Sequence, residues 1–172
     1  MTRRPHSSRL GTVMSDCAIE PLADEAEARQ CAQMMSTSEP WITLGRGYDD
    51  SLHLLRAASR EVYVARSNDR LVGFIVLCMT GAFVGYIQTI CVDPRCRSQG
   101  FGSALIRFAE DRIFRERPNV FMCVSSFNPD ARRLYLRLGY EVIGELKDYI
   151  VPGLSETLLR KTIGPLRDWK PG

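Results

Sequence analysis

Apolar residues fill Val62 to Ala65 within the stretch Glu61 to Ser67, and they run without a break from Leu71 to Met79. The turn residues Asn68-Asp69-Arg70 stand between the two runs, so they predict an antiparallel hairpin. Val84 to Val92 predicts a third strand beside it, and Val120 to Ser125 a short, strongly apolar one. Helical spacing is found elsewhere. Ala28, Cys31, Ala32 and Met35 share one face of a helix over 24–35 that Asp24 can cap, and Leu52 and Leu55 share a face over 49–58. A helix opening at Gln99 carries Phe101, Leu105 and Phe108 on one side and ends by Pro118. Another runs from Asn128 to Leu138, with Pro129 in its first turn and Gly139 as its stop. Cys17 to Leu22, Tyr140 to Leu146 and Glu156 to Thr162 complete the strands.

The predicted order is strand, two helices, three antiparallel strands, helix, strand, helix, two strands. Such an order makes a single α/β domain, a mixed and mostly antiparallel sheet of about seven strands flanked by about four helices. Residues 1–16 are polar and read as a loose N-terminal extension, 17–165 as the domain and 166–172 as a C-terminal tail.

Composition then removes several function classes. Net charge is +3, and only Lys147, Lys161 and Lys170 among the 23 basic residues are lysines. The arginines are scattered over several elements without interleaved aromatics, so no nucleic-acid partner is expected. No apolar run is long enough to span a bilayer, so no membrane partner is expected either. Cys17, Cys31, Cys78, Cys91, Cys96 and Cys123 include no C-x-x-C pair, and His6 and His53 are the only histidines. No metal site is expected, and the thiols are read as reduced in a cytoplasmic protein.

The chemistry is concentrated where the strand over 84–92 gives way to the helix at Gln99. A helix N-terminus leaves unpaired N–H groups with partial positive charge, and Gly100 and Gly102 allow an anion to approach that backbone. Arg95 and Arg97 add charge, and Ser98 and Ser103 add hydroxyls. A phosphate or pyrophosphate cradle competes here with a plain strand-to-helix turn. Leu105 stands where a dinucleotide fingerprint needs its third small residue, and no lysine closes the loop as a P-loop requires.

Val92-Asp93-Pro94 followed by Arg97-Ser98-Gln99-Gly100-Phe101-Gly102-Ser103 resembles the acetyl-coenzyme A signature of the GNAT N-acetyltransferases, Arg/Gln-x-x-Gly-x-Gly/Ala. Asn128 to Tyr140 resembles their second signature, Asn-x-x-Ala-x-x-x-Tyr-x-x-x-Gly-Phe/Tyr. The resemblance implies a GNAT-like fold whose fourth and fifth strands splay, with acetyl-coenzyme A as co-substrate. It implies that backbone amides from Arg97 to Ser103 bind the pyrophosphate and that Ile90, Cys91 and Val92 hydrogen-bond the pantetheine arm. Asn128 and Ala131 would meet that arm, and Tyr135 would stand near the sulfur as the acid that protonates the leaving thiolate.

Acetyl transfer to a primary amine, of a small molecule or a protein, by direct attack on the thioester is the activity this implies. The alternative is a module that holds an acyl-coenzyme A without efficient transfer. It draws support from a missing base: family members place a glutamate in one of two strands, and this chain has Cys123 in the one and Tyr86, Gln88 and Thr89 in the other. Glu39, Asp49 and Asp50, or a chain of waters, remain to take the proton. An acylated Cys123 is less favoured, since nothing beside it in sequence activates the thiol. The acceptor is expected among Ser36 to Tyr48, Val84 to Gln88 and Leu146 to Ser155. Glu39 and Trp41 would offer a carboxylate and an aromatic wall, with Tyr48 and Gln88 nearby. A homodimer is left open.

Overall fold

The computed structural model describes residues 17–170, so the expected extension over 1–16 lies outside the described residues. Twelve short elements follow one another: β1 (Cys17–Pro21), α1 (Glu25–Ser36), α2 (Tyr48–Arg56), β2 (Glu61–Ser67), β3 (Arg70–Cys78), β4 (Tyr86–Val92), a 3₁₀ turn (Pro94–Cys96), α3 (Phe101–Phe114), β5 (Asn119–Ser125), α4 (Pro129–Arg137), β6 (Glu141–Lys147) and β7 (Ser155–Thr162).

Local chemistry accounts for the boundaries. Asp24 caps α1 by accepting the Glu27 N–H at 2.9 Å, and Asn128 caps α4 by accepting the Ala131 N–H at 3.3 Å. Asn68 and Asp69 take the positive φ values, 50° and 59°, of a two-residue hairpin turn, which sets Ser67 opposite Arg70. α3 begins two residues later than the apolar spacing predicts because Gly100 stands before it in the left-handed region, at φ 91°.

The seven strands form one sheet in the order β1-β2-β3-β4-β5-β7-β6. All neighbours are antiparallel except β4 and β5. One face packs on α3 through Leu105, Ile106, Ala109 and Ile113 against Ile75, Leu77, Ile87, Val120 and Met122. The other packs on α1 and α2 through Cys31, Ala32, Met35, Leu52 and Leu55 against Val64, Phe74, Val76 and Cys91. α4 lies on the α3 side, contributing Ala131, Leu134 and Tyr135 to that edge of the core.

Candidate active site

Two features of β4 open the site. Opposite β3, Val76 pairs with Thr89 and Leu77 with Ile87, so Gln88 is an extra residue, a bulge that reverses which face the following side chains take. Ile87 accordingly faces α3, whereas Cys91 faces α1. Opposite β5, only Tyr86 with Phe121 and Ile87 with Met122 are paired. Past that point the two strands diverge. Among the described residues the edge of β4 from Gln88 to Val92 thus meets no strand on its β5 side, leaving a cleft lined by backbone polar groups.

At the end of β4 the cleft meets the corner of glycines and arginines. Ala104 is the first residue of α3 to donate backward, to the Gly100 carbonyl at 3.0 Å, which leaves the N–H groups of Phe101, Gly102 and Ser103 without helical acceptors. Among the described residues no side chain caps that end of the helix. Ser98, at φ 60°, and Gly100 carry the loop through the left-handed region just before these amides, a backbone pattern that recurs in anion-binding concavities. A Cβ built on Gly102 would meet only Leu134 Cδ2 at 3.7 Å and Val92 Cγ2 at 3.9 Å. The surface of the helix is therefore open there, between β4 and α4. The corner itself is anchored by Asp93, which is 5% exposed. Its carboxylate accepts the backbone N–H of Arg95 at 2.9 Å, Arg95 Nη2 at 2.8 Å and Arg70 Nη2 at 3.2 Å. These bonds, those from Arg95 foremost, hold its pKa down to about 2.

The other end of the cleft widens into a chamber of about 500 Å³ on the α1 and α2 side. Trp41 and Arg46 come from the α1–α2 connection, Tyr86 and Gln88 from β4, and Cys123 and Ser125 from β5. Asn128 and Tyr135 enter from α4, Tyr149 from the β6–β7 loop and Glu156 from β7. Arg60 Nε donates to Gln88 Oε1 at 2.5 Å and fixes the bulge residue. Burial pushes the Tyr135 phenol up to about 12, so it carries its proton throughout the physiological range. Burial also raises the Cys123 thiol, only partly countered by its bond with Tyr86, which disfavours the thiolate form.

Most of the residues singled out from the sequence meet here. Arg97 to Ser103 form the corner, with Arg97 also donating to the Glu39 carbonyl at 3.3 Å. Ile90, Asn128, Tyr135, Trp41 and Gln88 line the chamber. Ala131 packs from α4 against the α3-side core, and the Cys91 side chain points away into the α1 core, leaving its backbone to the cleft. Glu39 and Tyr48 stand apart. The Glu39 carboxylate accepts the Thr43 N–H at 3.2 Å, and Tyr48 borders a separate, open hollow of about 820 Å³ between α1 and Asp93. Asp49 and Asp50 are exposed in the first turn of α2.

β7 also brings a carboxylate to the chamber. Glu156 is the register partner of Ser125, so its side chain shares that face of the sheet with Cys123. It is 4% exposed and accepts Ser125 Oγ–H on Oε1 at 2.6 Å. Only the pairing of β5 with β7 brings it in, and the two residues lie 31 positions apart.

The acetyltransferase (GNAT) family model matches residues 23–140. An uncharacterized N-acetyltransferase of Methanocaldococcus jannaschii is 33% identical over 105 residues, which span 58% of this chain and 64% of that protein. Among solved structures, an aminoglycoside 6'-N-acetyltransferase complexed with coenzyme A superposes with a TM-score of 0.70 at 17% identity, over 88% of this chain and 99% of the other. A spermidine N-acetyltransferase of Vibrio cholerae in complex with coenzyme A and spermine gives 0.68 at 17% identity, over 87% and 96%. At such identities the two structures speak for the fold.

Proposed function

The chain belongs to the acetyltransferase (GNAT) family, and from that premise we propose that it transfers the acetyl group of acetyl-coenzyme A to a primary amine by direct attack of nitrogen on the thioester. The observation that carries this reading is the divergence of β4 from β5 after two residue pairs, with an anion-binding corner at one end and a chamber holding Tyr135 at the other. An extended thioester with a pyrophosphate at its far end matches that shape and polarity. The structural relatives crystallised with coenzyme A agree with it.

Each group then has a task. The amides of Phe101, Gly102 and Ser103, with Arg97, hold the pyrophosphate. The free edge of β4 between Gln88 and Val92 hydrogen-bonds the pantetheine arm as an added strand would, and the Asn128 amide meets it from α4. A backbone N–H beside the bulge at Gln88 stabilises the charge developing on the carbonyl oxygen. Tyr135 gives its proton to the departing sulfur. Reference values put a phenol about 1.5 units above a thiol, roughly 2 kcal/mol uphill. Burial lifts a thiolate formed beside Tyr135 as it lifts the phenol, so the gap stays modest.

Release of free coenzyme A from acetyl-coenzyme A, followed across a panel of small amines and peptides, tests the reading. Tyr135→Phe is the companion variant. Loss of a general acid lowers kcat by about 100-fold or more, while the dissociation constant for acetyl-coenzyme A stays unchanged. Failure of the protein to bind acetyl-coenzyme A would end the proposal.

A further inference from the structure

We propose that Glu156 receives the acceptor: its carboxylate binds the incoming ammonium group and takes the proton that frees the nitrogen for attack. The inference rests on the acetyl-transfer reading and adds to it the base and the form of the acceptor, a protonated primary amine.

Burying a carboxylate is unfavourable unless it is paired. At 4% exposure Glu156 has one hydrogen-bond partner among the described residues, the Ser125 hydroxyl, and no cation within ion-pair distance. Its second oxygen, Oε2, accepts nothing among those residues, and the residue lines the chamber that Tyr135 also lines. A cationic ligand would complete it. The groups that face it are otherwise uncharged: the Tyr86 hydroxyl from β4, the Cys123 thiol from β5 and the Tyr149 ring from the β6–β7 loop. Among the described residues Arg46, from the α1–α2 connection, supplies the positive charge that acts on Glu156, from beyond ion-pair distance. Trp41, Tyr86 and Tyr149 give the ammonium aromatic walls.

The protonation state suits the task. Burial raises the Glu156 carboxyl above the ordinary range, while the Ser125 hydroxyl and Arg46 pull it back. Such a group is a better proton acceptor than an exposed glutamate. The protons balance. The ammonium gives one to Glu156, the C–N bond forms as the C–S bond breaks, and the sulfur leaves with the proton of Tyr135. The amide nitrogen loses its second proton to restore Tyr135, and Glu156 releases its own to solvent.

The dependence of kcat/KM on pH, measured with one accepted amine on the wild type, Glu156→Gln, Glu156→Asp and Ser125→Ala, tests this. In the wild type the rate should level off between the pKa of Glu156 and that of the amine. Glu156→Gln should lower it about 100-fold near neutrality and remove that plateau. Only amine already neutral in solution then reacts, so the rate climbs tenfold per pH unit up to the amine's own pKa. Glu156→Asp should keep a plateau at reduced rate. Ser125→Ala, by removing the donor to the carboxylate, should move the acid limb to higher pH. Affinity for acetyl-coenzyme A should not change in any of them. Because ionised Glu156 is held against burial, Glu156→Gln should melt no lower than the wild type at pH 8. A wild-type profile and rate in Glu156→Gln would overturn the proposal and leave acetyl transfer standing. So would a loss of activity that merely follows a fall in melting temperature. Absence of transfer to any amine by the wild type would overturn both readings.

Discussion

Replacing Gly102 by leucine should abolish cofactor binding without unfolding the protein. A Cβ at this position has no neighbour closer than 3.7 Å, so the first added carbon makes only ordinary contacts with Leu134 and Val92. Helix propensity also favours the change, by up to about 1 kcal/mol relative to glycine in a helix interior. The rest of the leucine side chain must extend into the gap between the end of β4 and α4. On the present account, the chain of the cofactor passes there on its way from the corner to Tyr135. Displacing a phosphate from two charge-assisted hydrogen bonds costs roughly 1.5–3 kcal/mol each. The expected loss is therefore about 3–6 kcal/mol, or roughly 10²- to 10⁴-fold in Kd. Isothermal titration with coenzyme A, beside a thermal melt, reads both sides of the prediction, and Gly102→Ala serves as a control with an unchanged melt. An unaltered Kd in Gly102→Leu would refute the placement of the pyrophosphate at the start of α3.

Asp93→Asn should lower stability by about 1–2 kcal/mol at pH 7, less than the full shift implies because Arg95 and Arg70 are largely exposed. The Asp93 carboxyl is depressed, so its contribution is present above the unfolded value of 3.8 and is lost as pH falls toward about 2. Chemical denaturation of the pair at several pH values should show the difference shrinking over that window, and a constant difference would contradict the assignment. Gly73→Ala should destabilise by about 1–3 kcal/mol, since its Cβ would lie 2.6 Å from the Cys91 carbonyl oxygen of the paired strand; an unchanged melting temperature would count against the tight β3–β4 register. Cys123→Ala should retain transfer within a few-fold, because its half-buried thiol is pushed toward the protonated form; a thousandfold loss would point to an acyl-enzyme.

Local patterning carried most of the fold. Apolar runs bounded by turn residues located β2 and β3 to within a residue, and capping chemistry located α1 and α4, because those signals act over a few residues. β4 starts at Tyr86, two residues later than the apolar run, because Gly85 at φ 86° donates to the Cys78 carbonyl and accepts from Phe121 N–H in a turn. The bulge at Gln88 depends on how β4 is paired with β3, which no run of residues in β4 reveals. The same limit hid Glu156. As one polar residue at the start of β7 it is unremarkable in sequence, and only the register with Ser125 turns it into the chamber. Glu39, by contrast, looked suitable by residue type, but its carboxylate is engaged with the backbone of its own turn.

A single-turnover experiment with acetyl-coenzyme A labelled in the acetyl carbon tests the central claim most directly. The protein in excess is mixed with label and a primary amine, then quenched over time and resolved by mass spectrometry. The label should pass to the amine nitrogen as free coenzyme A appears in equal amount, with none on the protein at any time. Label retained on acetyl-coenzyme A at the uncatalysed rate for every amine, or label accumulating on the protein before the amine, would contradict direct transfer.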